Sequence, residues 1–294
     1  MLEKTNVKTL ENVVVRFSGD SGDGMQLAGN IFSNVSAGVG DQISTFPDYP
    51  AEIRAPQGTL SGVSGFQVHI GKGVHTPGDE ADVLVAMNPA ALKRHACFLK
   101  KGGVAIVDID SFKESDLKKA LYTTNEPYKE INLDAQVVEV PISSMVKSAL
   151  EGSGLDLKSM LRCKNMFALG LVCWLFDRPL DSALHLLQNK FAKKPAIFEA
   201  NAKVMRAGYD YGHNIHASVS TYRIESSEAR PGIYTDVNGN TATAWGLIYA
   251  SEKSGRPLYL GSYPITPATD ILHELAKRKD LGVKACQMED EIAG

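Results

Sequence analysis

The sequence predicts an α/β fold: a parallel sheet covered by helices on both faces, then a helical extension and a second, shorter α/β segment. Three observations support this prediction. Short runs rich in β-branched residues alternate with helical spacing through the first 140 residues. Some of these runs are continuously apolar, which is typical of strands buried on both faces. After residue 155 the pattern is helical, and the alternation resumes at Gly239.

In the first half, strands are predicted, in order, at 12–17, 66–70, 82–87, 104–108 and 135–140. Residues 66–70 alternate between apolar and polar, so we expect a half-buried strand there. Leu27, Ile31 and Val35 are four apart and predict a helix over 25–35. Asn88 and Pro89 fit the N-cap and first position of the next helix, which 101–103 should end.

In the second half, helices are predicted at 161–176 and from an N-cap at Asp181 to about residue 208. Residues 213–232 are polar and predict a linker. A second α/β pattern follows, with helices at 241–253 and 270–277 and strands at 258–260 and 283–288. The predicted organisation is therefore a domain at 1–212, a linker at 213–232 and a partial domain at 233–294. The last part is too short for a doubly wound domain, so we expect the chain to be a fragment.

Composition excludes several classes of protein. The formal net charge of −3 gives no basic field for nucleic acid. The longest apolar run, 166–176, is too short to span a bilayer, and the N-terminus has no secretory apolar region, so we expect a cytoplasmic protein away from membranes. The cysteines do not form C-x-x-C pairs, which argues against a metal or iron–sulfur site held by this chain alone; they are Cys97, Cys163, Cys173 and Cys286.

A glycine-rich loop lies between the first strand and the first helix, and it reads Gly19-Asp20-Ser21-Gly22-Asp23-Gly24. Its backbone N–H groups and the helix start are suited to hold a phosphate or diphosphate. Two observations oppose this interpretation. The spacing is not the dinucleotide G-x-G-x-x-G, and the two aspartates would repel an anion unless they turn away. The alternative is a tight turn that needs positive φ angles.

A long loop with three prolines occupies residues 46–58. Long loops in compact domains are often functional. Arg54 is suited to clamp a carboxylate or phosphate with two hydrogen bonds. An ion pair with Glu52 that stiffens the loop explains the same residues equally well.

The most informative stretches are Tyr263-Pro264-Ile265-Thr266-Pro267 and an acidic run at Glu289-Asp290-Glu291. Each follows a predicted strand, and ligands bind at the carboxyl ends of parallel strands. Thr266 lies on a stiff loop, so its hydroxyl is suited to contact a substrate, although a turn-stabilising role is also open. The acidic run is either a solvated helix start or, if buried, a carboxyl with a raised pKa that shares a proton with a ligand.

Together these motifs resemble the alpha subunit of 2-oxoacid:ferredoxin oxidoreductases. In that arrangement a Rossmann-like gamma domain precedes the domain that binds the pyrimidine ring of thiamine diphosphate. Three stretches are similar to the gamma domain: residues 19–29, 49–58 and 164–170. Residues 239–242, 263–267 and 288–293 are similar to the start of the pyrimidine-binding domain.

The resemblance implies oxidative decarboxylation of a 2-oxoacid, with 2-oxoglutarate favoured over pyruvate, and transfer of the acyl group to coenzyme A. It implies that Glu291 activates the aminopyrimidine, with Glu289 as the fallback, in a site formed with Tyr263, Pro264 and Ile265. Thr266 would contact the substrate. Coenzyme A is expected on the gamma domain, at residues 21–24.

The resemblance also implies a partner. The segment Gly22-Asp23-Gly24 is not followed by the asparagine expected of a magnesium and diphosphate motif. A beta subunit is therefore expected to hold Mg²⁺, the diphosphate and the [4Fe-4S] clusters and to reduce ferredoxin, in a heterodimer or a dimer of heterodimers. Two other functions stay open: a non-catalytic assembly module, and a nucleotide-binding dehydrogenase that uses the glycine-rich loop.

Overall fold

A computed structural model describes residues 7–50, 55–215, 221–225 and 232–294, and it divides into two compact units, Met1–Arg230 and Pro231–Gly294. The strands of the first unit are β1 (Val7–Leu10), β2 (Asn12–Asp20), β3 (Gln42–Asp48), β4 (Val63–Gly71), β5 (Ala81–Ala86), β6 (Leu99–Asp108), β7 (Ala135–Val140) and β8 (Thr221–Ile224). Its helices are α1 (Met25–Gly38), α2 (Pro89–His95), α3 (Glu114–Lys119), α4 (Pro127–Glu130), α5 (Ile142–Ala149), α6 (Leu157–Leu161), α7 (Lys164–Leu175), α8 (Leu180–Lys190) and α9 (Pro195–Ile215).

The main sheet of the first unit has the strand order β3-β4-β2-β5-β6-β7. The pairs β2–β5, β5–β6 and β6–β7 are parallel, whereas β4 is antiparallel to both β2 and β3. Five strands therefore point the same way and β4 opposes them, so the prediction of a mostly parallel sheet is confirmed. The prediction that 66–70 is half-buried is wrong, because β4 lies inside the sheet and is buried along nearly its whole length.

Helices cover both faces of this sheet, as the apolar strands predicted. In β5, Val83 and Val85 face the core formed with α1, α5, α7, α8 and α9. The alternate residues Leu84 and Ala86 face a second core formed with α2 and α3. Successive side chains of a strand point to opposite faces, so a continuously apolar strand supplies two cores at once.

In the helical extension, α7 and α9 pack against each other at two glycines. A Cβ atom on Gly170 of α7 would lie 2.0 Å from the Met205 carbonyl oxygen of α9, and a Cβ on Gly208 would lie 2.1 Å from the Phe167 carbonyl oxygen. The two backbones are therefore in direct contact. Glycine lowers helix stability by about 0.5–1 kcal/mol relative to alanine, and here the close approach requires it.

Several predicted boundaries differ from the structure. Helix α2 ends at His95, so residues 101–103 belong to β6, where Gly102 has a φ of 71° and so fits a local irregularity of the strand. Helix α7 begins at Lys164 rather than at residue 161, which belongs to a separate short helix, α6. Asp181 is not the N-cap of α8; it lies in the first turn, where a carboxylate favours the helix dipole.

The predicted linker 213–232 includes ordered parts of the first unit. Helix α9 continues to Ile215, and β8 pairs in parallel with β1. Strand β8 is held because Ile224 is buried and the Tyr222 ring stacks on Phe176, with ring centroids 5.5 Å apart. The polar composition hid these two apolar anchors.

The second unit contains α10 (Gly239–Ser254), β9 (Tyr259–Ser262), α11 (Thr269–Ala276) and β10 (Lys284–Gln287). The Asn238 side chain caps α10 by accepting from the Thr241 N–H at 2.8 Å, and Gly255 ends the helix in the left-handed region. Strands β9 and β10 are parallel. The element types predicted for this region are thus confirmed. Across the described residues of both units, none of the helices combines the length and apolar character needed to cross a bilayer.

Candidate functional site

A cavity of about 790 Å³ opens at the carboxyl ends of β2, β5 and β6 in the first unit. From β2 the chain crosses through α1 to β3 on one side, whereas β5 leads to β6 and β7 on the other. The cavity therefore lies at the point where the strand order reverses, which is where open α/β sheets bind ligands. The wall includes Asp20, Gly22 and Asp23 of the glycine-rich loop.

The glycine-rich loop uses several of its own N–H groups internally. The N–H of Asp20 donates to the Asp23 carboxylate at 2.9 Å, and the N–H of Asp23 donates to the Asp20 carbonyl oxygen at 2.9 Å. The N–H of Ser21 donates to the Gly62 carbonyl oxygen at 2.9 Å. These three donors are therefore not available to a phosphate.

The two aspartates of the loop are turned toward protein donors. Asp20 accepts from the Asn88 side chain and from the Gly58 N–H, each at 2.9 Å. Burial raises the pKa of Asp20, and these two hydrogen bonds oppose the rise. Burial also raises the pKa of Asp23, and the nearby Lys164 ammonium opposes it. The carboxylates thus brace the loop, although both also line the cavity.

Helix α7 holds the loop from the other side. The Asn165 amide donates to the Gly24 carbonyl oxygen at 3.1 Å. The neighbouring Lys164 ammonium is 3.0 Å from the buried Asp108 carboxylate at the end of β6, and it lines the cavity. Gly24 has a φ of 77°, so glycine is required for the conformation as well as for the approach of Asn165.

A rim of basic side chains surrounds the cavity, and the sequence analysis missed it. Five cations line the wall: Lys113, Lys119, Lys158, Arg162 and Lys164. Of these five cations, only Lys119 and Lys164 have a carboxylate of a described residue within ion-pair distance. Lys113, Lys158 and Arg162 therefore offer charge to a ligand. The spacing of Lys158 and Arg162, four residues apart at α6, was the available signal.

The order of the strands bears on dinucleotide binding. In the dinucleotide fold the strand after the first helix lies beside the first strand and supplies an acid for the ribose. Here β3 follows α1, but β4 separates it from β2. The nucleotide-binding dehydrogenase is therefore not supported by the arrangement of the glycine-rich loop.

The second unit brings its two candidate segments together. Residues 263–267 follow β9, and residues 288–294 follow β10, at the same edge of the parallel pair. The Met288 N–H donates to the Ser262 carbonyl oxygen at 2.9 Å. A Cβ atom on Gly294 would lie 3.3 Å from the Tyr263 nitrogen, so the final turn packs directly on the start of the proline loop.

The predicted site residues of this unit are exposed within the chain. Tyr263 is half-buried, whereas Pro264, Ile265 and Thr266 are exposed. Glu291 is also exposed, in a turn rather than a helix. The roles assigned to these residues, and to residues 21–24, stay predictions.

Two other predictions concern charge and metals. Arg54 lies outside the described residues. Cys163 and Cys173 are buried, whereas Cys97 and Cys286 are exposed. The part of the chain that the structure describes contains no group of three or more His, Cys, Asp or Glu side chains placed to hold a metal ion.

The fold and these motifs define a class of oxidoreductase subunits. The model of the pyruvate ferredoxin/flavodoxin oxidoreductase family matches residues 14–211, and the chain belongs to this family. The resemblance inferred from the motifs is thereby confirmed at the level of the family.

Particular relatives extend the match over nearly the whole chain. The 2-oxoglutarate oxidoreductase subunit KorA of Mycobacterium tuberculosis is 49% identical over 97% of this chain and 44% of the relative. The 2-oxoacid:ferredoxin oxidoreductase subunit alpha of Sulfolobus is 24% identical over 94% of this chain and 43% of the relative. The chain thus spans less than half the length of these relatives.

A solved structure also matches nearly the whole chain and less than half of its own length. The 2-oxoglutarate:ferredoxin oxidoreductase of Magnetococcus marinus, with 2-oxoglutarate, coenzyme A and succinyl-CoA bound, matches with a TM-score of 0.71 and 25% identity. The match covers 97% of this chain and 44% of that chain.

Proposed function

We propose that this chain forms part of the alpha subunit of a thiamine diphosphate-dependent 2-oxoacid:ferredoxin oxidoreductase. The reaction converts a 2-oxoacid and coenzyme A to an acyl-CoA, CO2 and reduced ferredoxin. One observation carries the proposal: the proline loop 263–267 and the acidic turn 288–294 pack together at the carboxyl edge of β9 and β10. The identity to KorA favours 2-oxoglutarate as the substrate.

The second unit would hold the pyrimidine ring of the cofactor. Thiamine diphosphate supplies the carbanion chemistry that lets a 2-oxoacid lose CO2. Glu291 would hold a proton against the aminopyrimidine, and its exposure in this chain leaves it accessible for that contact. Thr266 would donate a hydrogen bond to the substrate from the proline loop.

The cavity of the first unit would take coenzyme A. Its volume of about 790 Å³ suits a large ligand, and Lys113, Lys158 and Arg162 offer cations to phosphates. The glycine-rich loop, residues 21–24, would then supply shape rather than N–H donors. The Magnetococcus marinus relative was solved with coenzyme A bound, which supports this choice of ligand.

A beta subunit would complete the site. We assign to it Mg²⁺, the diphosphate contacts and the [4Fe-4S] clusters that pass electrons to ferredoxin, in a cytoplasmic heterodimer or dimer of heterodimers. The names of the relatives as subunits support a multi-subunit assembly.

The test uses the full-length chain co-expressed with its partner. We expect reduction of a viologen dye that requires 2-oxoglutarate, thiamine diphosphate and coenzyme A. Replacing Glu291 with Gln keeps the shape and removes the ionisable proton, so turnover should fall by about 10²–10⁴-fold. Glu252→Gln, at an exposed residue of α10, is the control, with an expected change of less than about threefold.

The outcomes distinguish a catalytic subunit from a non-catalytic assembly module. Full turnover in Glu291→Gln would remove Glu291 from the mechanism. A complex that assembles but reduces no dye with any 2-oxoacid would instead favour the non-catalytic assembly module.

A further inference from the structure

A largely buried polar cluster, in which the Asp48 side chain is 34% exposed, takes no part in the site described above. We call it the Asp48 cluster; it consists of Arg16, Ser18, Asp48, Gln67 and His95. Arg16 forms an ion pair with Asp48 and donates to the Gln67 side-chain oxygen at 2.9 Å. His95 Nε2 is 3.2 Å from Asp48, and His95 Nδ1 is 2.6 Å from the Ser18 hydroxyl.

The arrangement Ser18–His95–Asp48 is not a nucleophilic site. Ser18 is fully buried within β2, and His95 is 2% exposed. The Ser18 hydroxyl therefore has no access to a substrate. The cluster must act through the elements that it holds, which are the end of β3 and the end of α2.

Helix α2 connects the Asp48 cluster to the cavity. It ends at His95, and its N-cap residue, Asn88, lines the cavity. Asn88 donates to Asp20, and Asp20 accepts from the N–H of Gly58, another wall residue. Asp48, the last residue of β3, is thus bound to the last residue of α2, and Asp20 links Gly58 to the N-cap residue of α2.

We propose that His95 is a positioning residue for the cavity, because its hydrogen bond to Asp48 fixes the end of α2, and the N-cap residue of this helix, Asn88, holds Asp20 in the wall. The effect on coenzyme A rests on the proposed function. His95 lies away from the cavity, so it acts on a ligand only through Asn88 and Gly58.

The chemistry of the cluster favours a single hydrogen-bond pattern. Burial lowers the pKa of His95, the hydrogen bond to Asp48 opposes the fall, and the Arg16 and Arg94 charges act in the same direction as burial. A neutral ring that donates from Nε2 to Asp48 accepts at Nδ1 from Ser18. A Cβ atom on Gly65 would lie 2.9 Å from the ring, so the fit is close. Each nitrogen of the ring thus has one hydrogen-bond partner.

The test compares two His95 variants and one control in the full-length chain with its partner. His95→Phe keeps an aromatic ring and removes both hydrogen bonds, whereas His95→Gln keeps an N–H donor for Asp48. Leu187→Ala truncates a fully buried side chain of α8 and serves as the control for lost stability. The dissociation constant of coenzyme A is measured by calorimetric titration, and melting temperatures are recorded in parallel.

We expect His95→Phe to weaken coenzyme A binding by about fivefold or more. His95→Gln and Leu187→Ala should remain within twofold of the wild type. Wild-type affinity in His95→Phe would overturn the proposal, as would equal weakening in all three variants. If His95→Phe fails to fold, His95→Asn, which cannot place an amide at the Nε2 position, takes its place.

A second measurement separates this proposal from the proposed function. If the wild-type protein does not bind coenzyme A, the ligand assignment fails, and amide hydrogen exchange over residues 55–62 decides the positioning role. We expect faster exchange there in His95→Phe than in Leu187→Ala. Equal exchange in the two variants would overturn the role of His95.

Discussion

Replacing Gly24 with alanine tests how the glycine-rich loop is held. Gly24 has a φ of 77°, a region that costs a residue with a side chain about 1–2 kcal/mol. The new Cβ would also lie 2.3 Å from the Asn165 side-chain nitrogen, and such overpacking costs about 1–3 kcal/mol. We therefore expect Gly24→Ala to lower the free energy of unfolding of the first unit by about 2–5 kcal/mol.

Gly22→Ala is the matched control. Gly22 has a φ of 100°, but a Cβ there would meet no atom within 4 Å. Only the backbone cost applies, so the loss should be about 1–2 kcal/mol. The difference between the two variants isolates the contact with Asn165.

The assay is urea unfolding followed by tryptophan fluorescence. The chain has two tryptophans, and Trp174 is the one in the first unit. In a Trp245→Phe background the signal reports the first unit alone. Adding Asn165→Ala should make Gly24→Ala about 1–3 kcal/mol less damaging than it is beside asparagine. Equal losses for Gly24→Ala and Gly22→Ala would refute this account of the loop.

Three further predictions concern the stability of the first unit. Gly170→Ala should lower the melting temperature sharply, at a cost of about 3 kcal/mol, because the methyl group would meet a backbone carbonyl of α9. Arg178→Met should cost about 3–5 kcal/mol in urea unfolding, because it leaves the buried Asp41 carboxylate, now 3.0 Å from the guanidinium, without its partner. Burial lowers the pKa of His95, and the hydrogen bond from His95 with the charge of Arg16 lowers that of Asp48. Both groups bind protons less readily when folded, so unfolding free energy should fall below about pH 6.5 and again below about pH 4, and His95→Phe should remove the first decline.

The sequence predicted the strands of the sheet better than their order. Continuous apolar runs identified β5 and β6, because burial on both faces leaves that pattern. The position of β4 between β2 and β3 was not predictable, since alternation of residues does not specify neighbours or direction. The weak pattern of β8 was missed for a different reason: its polar segment contains only one buried side chain, Ile224, and one partly buried side chain, Tyr222.

The candidate sites divide in a similar way. The glycine-rich loop and the proline loop stood out in the sequence because glycine permits backbone conformations that other residues avoid and proline restricts them. The basic rim was not, because Lys113 and Arg162 meet only after the strands and helices between them have packed. The contact between Asn165 and Gly24 joins residues 141 positions apart, which spacing alone does not reveal.

The glycine contacts of α7 have a consequence for how substitutions act at a distance. Because the two backbones touch at Gly170 and Gly208, neither helix can rotate or slide without a collision. The first residues of α7, Lys164 and Asn165, are therefore held in position by the packing of the same helix on α9. A methyl group added at Gly170 would tilt α7 and move Lys164 and Asn165 together. A substitution outside the cavity would therefore change the position of residues at its wall.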